Sequence, residues 1–125
     1  MIEKLIIVTN NQMSEKNFKE RYDVIYIDSH VRAVYEKVRD QIHLGHRLLT
    51  HPLMSSVKPN ETPYRTICIS KEKKQKCDIE SLMLIENSIA TLEKFLTMSP
   101  IPEYSDEVME DFQVIDYDLI NHALS

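Results

Sequence analysis

The chain has 125 residues, 42% of them apolar and 28% charged, which fits one folded domain and excludes disorder along its whole length. A net charge of −5 argues against general binding to nucleic-acid phosphates, which needs a basic face. No stretch approaches the ~20 apolar residues of a membrane span, and Met1 to Lys4 leads straight into a strand rather than a basic, then apolar, leader; a cytoplasmic protein is expected.

Lys4 to Thr9 is a short run of branched apolar residues, too short for a helix and suited to a strand buried on both faces. Asn10 and Asn11 supply turn and helix-capping chemistry. Ser14 to Glu20 follows as a modest helix anchored by Phe18, and Val24 to Ile27 repeats the strand pattern. Asp28 or Ser29 caps the next helix, whose apolar stripe is Val31, Val34, Tyr35, Val38 and Ile42. Gly45, the only glycine, stands where a left-handed helix terminator belongs. Arg47 to Thr50 reads as a third strand.

Residues 51–64 form a polar loop that carries three of the five prolines. Each proline biases the residue before it, His51, Lys58 or Thr62, towards an extended backbone. Such a loop loses less entropy on binding than a glycine-serine loop would. Tyr64 to Ser70 is a fourth strand, with a parallel arrangement favoured over an antiparallel one. Asp78 caps a long helix whose apolar positions are Leu82, Ile85, Ile89, Leu92 and Leu96, and Ser99 to Pro102 stops it. From Asp106 to Leu124, Val108, Phe112, Ile115 and Leu119 recur at helical spacing, with a restart at Asp116 or Asp118.

This order predicts two consecutive βαβ units and one α/β domain over 1–125: a three-layer sandwich with a mostly parallel four-stranded, Rossmann-like sheet. Residues 1–98 are its core and 103–125 a helical C-terminal arm, packed on the sheet or on a second subunit of a homo-oligomer.

In open parallel sheets, ligands bind beyond the carboxyl ends of the strands. Thr9 to Asn11, Asp28 to His30, and Thr50 with His51 lie there, and the polar loop starts from the same edge. The candidate ligand- or partner-binding residues are therefore Asn10, Asn11, His30, His51, Ser55, Ser56, Lys58, Asn60, Glu61, Thr62 and Tyr64. With one glycine the phosphate-cradling turns of nucleotide sites are missing, so no cofactor is expected. His43, His46 and His51 lack a completing carboxylate and are separated by the helix end at Gly45, so no metal is assigned. Cys68 reads as a small core residue and Cys77 as a residue just before a helix. The run Lys71 to Lys76 reads as a solvated turn. A hydrolytic or acyl-transfer site would use His51 as base, Ser55 or Ser56 as nucleophile and Glu61 as orienter, but a tight loop rarely holds all three rigidly. Lys58 with the serine hydroxyls would instead hold a small anion.

Four stretches resemble the GrdX family: Gly45 to Tyr64, the opening Leu5 to Asn11, the helix start Asp78 to Leu82, and Glu110 to Asp116. These are small proteins encoded beside the glycine, sarcosine and betaine reductase components of amino-acid-fermenting anaerobes. The resemblance implies an anaerobic cytoplasm and a link to reductive amino-acid fermentation, and it brings no catalytic residues. The expected role is a non-catalytic accessory or regulatory protein that binds a small polar ligand or a reductase component through residues 51–64. The rival expectation is a small enzyme acting on a carboxylate, acyl or phosphoryl compound, with Lys58 holding the anion and His51 and Glu61 moving protons.

Overall fold

The computed structural model describes residues 4–54 and 58–125. In chain order the strands and helices are β1 (Leu5–Thr9), α1 (Gln12–Phe18), β2 (Asp23–Tyr26), α2 (Val31–His43), β3 (Thr66–Ser70), α3 (Ile79–Met98) and α4 (Asp106–Leu124). A 3₁₀ turn, Pro59–Glu61, interrupts the long connection before β3.

The sheet corrects the expectation of four mostly parallel strands. It has three described strands in the order β2-β1-β3. β1 pairs with β2 in parallel, from Ile6 opposite Asp23 to Thr9 opposite Tyr26, and with β3 antiparallel, from Leu5 opposite Ser70 to Thr9 opposite Thr66. Among the described residues there is one βαβ unit where two were expected, so the Rossmann-like description does not hold.

The expected third strand, Arg47 to Thr50, contracts to one antiparallel bridge between Leu48 and Ile69. Side chains intercept the groups that a continuous ladder would use. The Arg47 amide donates to Ser70 Oγ, the Leu48 amide to Ser81 Oγ, and the Cys68 amide to Thr50 Oγ1. Two backbone bonds survive, Ser70 N–H to Arg47 O and Leu49 N–H to Cys68 O. The segment thus climbs the outer edge of β3, the connection crosses the rim, and the chain descends through β3. Without a helix to carry it back to the other end, the chain returns antiparallel.

Helices cover both faces of the sheet. On one, Val31, Val34, Tyr35, Val38 and Ile42 of α2 and Ile85 and Leu92 of α3 bury against Val8, Ile67 and Ile69. On the other, Phe18 of α1 and Ile120 and Leu124 of α4 close over Leu5, Ile7 and Cys68. The Phe18 ring lies 5.0 Å from that of Tyr117. Burial pushes the Cys68 thiol up to about 12, in keeping with a core role.

Local chemistry explains the element ends. Asp78 accepts from the Ser81 amide at 3.1 Å and from Ser81 Oγ at 2.6 Å, and these bonds hold its carboxyl below its ordinary value. At the end of α2, the Gly45 and His46 amides donate to Ile42 O and Gln41 O, the Schellman pattern, with Gly45 at φ +111°. α4 runs unbroken from Asp106 to Leu124, so the expected restart at Asp116 or Asp118 is absent. Its inner face also differs: Asp116, Ile120 and Leu124 are buried, whereas Val108 and Ile115 are exposed. None of the described helices is long and apolar enough to cross a membrane.

Candidate functional site

Beyond the carboxyl end of β1, Asn10 and Asn11 continue the strand's alternation and diverge to opposite sides. Asn10 faces the α2 entrance and the rim connection. Its Nδ2 donates to Ser29 O at 3.2 Å and Pro63 O at 3.0 Å, while its Oδ1 accepts from the Arg65 amide at 2.9 Å. One amide therefore ties the end of β1 to two segments that are distant in sequence, at Ser29 and at Pro63 to Arg65.

Asn11 turns towards α4. Its Oδ1 caps α1 through the Met13 amide, and its Nδ2 donates to Gln113 O and to Asp116 Oδ2. Asp116 also accepts from the Thr66 amide at 3.1 Å and stands 2.6 Å from Thr66 Oγ1. Thr66 Oγ1 is further surrounded by Ser14 Oγ at 2.9 Å and Thr9 Oγ1 at 2.8 Å. Its one proton belongs on the carboxylate, the shortest of these contacts. Burial nevertheless raises the Asp116 carboxyl above its ordinary value, against the hydrogen bonds from Thr66 and Asn11 and the nearby Arg65 charge. Arg65 itself is buried and donates to Met54 O at 2.9 Å. This cluster closes the α4 side of the rim.

On the Asn10 side lies a cavity of about 530 Å³. Asn10, Gln12, Tyr26, Asp28, Ser29, His30 and Tyr64 supply its polar lining. Val31, Pro63, Pro100, Ile101 and Met109 supply apolar surface. Its volume falls within the range of small-molecule sites. Several of its polar groups are held in place. His30 Nδ1 accepts from the Arg32 amide as the cap of α2, which leaves Nε2–H as the ring's donor. Desolvation and the neighbouring Arg32 charge hold the His30 pKa below its ordinary value, so the ring is neutral at pH 7. Tyr64 Oη accepts from Gln113 Nε2 at 3.1 Å and retains its own proton for donation. Tyr26 is bonded to the Gln12 side chain, and burial raises its phenol pKa.

Of the residues singled out in the sequence, Asn10, His30 and Tyr64 meet in this cavity. Asn11 serves the Asp116 cluster instead. His51 is exposed, and its Nδ1 accepts from the Leu53 amide. Lys58 and Glu61 form an exposed ion pair at 3.9 Å. Asn60 is buried, donating to Ser99 O at 3.0 Å. The half-buried Thr62 donates its amide to Pro59 O. Ser55 and Ser56 lie outside the described residues. Thus His51, Lys58 and Glu61, the groups expected to move protons and hold an anion, do not line the cavity.

Two lining residues, Tyr26 and Gln12, were missed in the sequence although a signal existed. Tyr26 ends a parallel strand, directly before Asp28, Ser29 and His30, which strand-end logic already placed at this edge. Gln12 opens the helix after β1. Ile101 and Met109 carried no such signal, because only the path after α3 brings them to the rim.

No curated protein and no solved structure matches the chain. The family described as GrdX-like protein matches residues 6–125, nearly the whole length. That span takes in the elements just described apart from Leu5, the first residue of β1, and the chain belongs to the GrdX family.

Proposed function

We propose that this chain is a non-catalytic accessory or regulatory protein of glycine, sarcosine or betaine reductase-type fermentation in an anaerobic cytoplasm, and that it recognises a small polar ligand in the rim cavity. Family membership supports the accessory role in general terms. The observation that carries the ligand-binding reading is the three-way clamp at Asn10. It holds the α2 entrance against Pro63 and Arg65, so the polar groups beside it converge before any ligand arrives. Preorganisation of this kind reduces the ordering cost of binding.

Calorimetry with the purified chain tests the reading against glycine, acetyl phosphate, phosphate and each reductase component. Saturable binding without turnover is the expected result. Turnover of any of these compounds by the chain alone would overturn the accessory role, and a complete lack of binding would overturn the recognition role.

A further inference from the structure

We propose that the rim cavity selects a small organic cation, a molecule bearing an ammonium group, over an anion of similar size. This rests on the ligand-binding reading of the same cavity and names the chemistry of its occupant.

The argument begins with charge. Among the described residues, Asp28 is the one lining group with a formal charge at pH 7. His30 is neutral there because its pKa is lowered, and the Tyr26 phenol stays protonated because its own is raised. No described lysine or arginine lines the cavity. The nearest candidate by sequence, Arg32, is engaged elsewhere: its Nε lies 2.7 Å from Glu93 Oε1, in an ion pair between α2 and α3. Lys58 is paired with Glu61 away from the lining.

Helix entrances commonly bind anions through unsatisfied amides. Here the caps occupy three of those donors. The Met13 amide is taken by Asn11 Oδ1, the Arg32 amide by His30 Nδ1 and the Ala33 amide by His30 O. An anion would therefore give up water for a site with a carboxylate and no balancing charge.

A cation meets the opposite conditions. Asp28 supplies the countercharge, and the faces of Tyr26 and Tyr64 can attract an ammonium through their ring quadrupoles. Both phenols are anchored by glutamine amides, from Gln12 and Gln113, so the aromatic surface is fixed in advance. Ile101, Met109 and the two prolines accommodate attached carbon.

The test titrates the full chain, followed by amide resonances, with four probes at constant ionic strength. They are choline, its uncharged isostere 3,3-dimethyl-1-butanol, acetate and inorganic phosphate. Choline is expected to shift the Tyr26, Ser29, His30 and Tyr64 amides saturably and to bind at least tenfold more tightly than the isostere. Asp28→Asn should lower choline affinity about tenfold through loss of the countercharge, with resonances remote from the rim unchanged. Equal binding of choline and its isostere, or undiminished affinity in Asp28→Asn, overturns the cation assignment. Tighter binding of acetate or phosphate at the same amides also overturns it but leaves the ligand-binding reading standing. If no probe moves these amides, both fall.

Discussion

Asp116 Oδ2 lies 2.6 Å from Thr66 Oγ1, and this contact joins α4 to the first residue of β3 across the rim of the sheet. The same carboxylate accepts from the Thr66 amide and from Asn11 Nδ2, so three donors from two other parts of the chain converge on it. Their geometry requires an acceptor at both oxygens.

Asp116→Ala should therefore strand buried donors as well as remove a contact. Each unsatisfied group costs about 1–3 kcal/mol, so a loss of roughly 3 kcal/mol or more is expected in chemical denaturation. Asp116→Asn keeps the shape but turns an amide N–H₂ towards at least one of these donors, and it should lose about 1–3 kcal/mol. A variant as stable as the parent would show that the network does not hold α4.

The pH dependence has a definite sign. Burial raises the Asp116 pKa in the folded chain above its unfolded value of about 3.9, so the folded state binds the proton more tightly. Between the unfolded and folded pKa values, stability from this group increases as pH falls; above both, the full cost of burying the charge is present. The amide in Asp116→Asn cannot titrate. The stability of the parent minus that of the variant should consequently grow in the parent's favour as pH drops from about 7 towards about 4. A difference that is flat or shrinks over that interval would contradict the assignment.

Asn10 makes a similar prediction on the cavity side. Asn10→Ala removes an acceptor for the Arg65 amide and a donor shared by Ser29 O and Pro63 O, a loss of about 2–4 kcal/mol for a buried, multiply bonded amide. Asn10→Asp keeps the acceptor but sets a carboxylate against two carbonyl oxygens, so it should be at least as damaging as alanine. Hydrogen exchange at the Arg65 amide should accelerate in Asn10→Ala and give a local readout. If aspartate proves milder than alanine, Asn10 Nδ2 is not the donor that ties the rim together.

Much of the framework was legible because it depends on local pattern. The α2 stripe from Val31 to Ile42 is buried as its spacing requires, and the Gly45 and Asp78 helix ends follow residue type alone. The edge segment Arg47–Thr50 was not legible as a bridge, because Ser70 and Ser81 divert its amides only after β3 and α3 are in place. The inner face of α4 was misread for a related reason. Apolar residues lie on both its sides, and Asp116 tips the choice inward only when Thr66 and Asn11, 50 and 105 residues away, arrive to satisfy it. Within the candidate site, strand-end reasoning found Asn10 and His30. Residues 51–61 attract attention in the sequence through their polar side chains, yet among the described ones His51 caps the Leu53 amide, Lys58 pairs with Glu61 and Asn60 donates to Ser99 O, contacts that only the folded connection brings together.

Gly45 links the end of α2 to the basic turn at residues 71–76, and two requirements coincide there. Its φ of +111° is costly for any side chain, and a Cβ would strike the carbonyl oxygen of Lys74, whose amide donates to Gly45 O at 3.0 Å. Gly45→Ala should destabilise the chain by about 2–4 kcal/mol, combining left-handed strain with displacement of a backbone contact. Gly45→Asn separates the two causes. Asparagine tolerates positive φ better than alanine, so strain alone predicts recovery of much of the loss. The Lys74 contact predicts none, because the collision is with the Cβ that both residues share. Matched denaturation midpoints for the two variants would establish backbone approach as the reason for glycine, and a clearly more stable asparagine variant would assign it to φ.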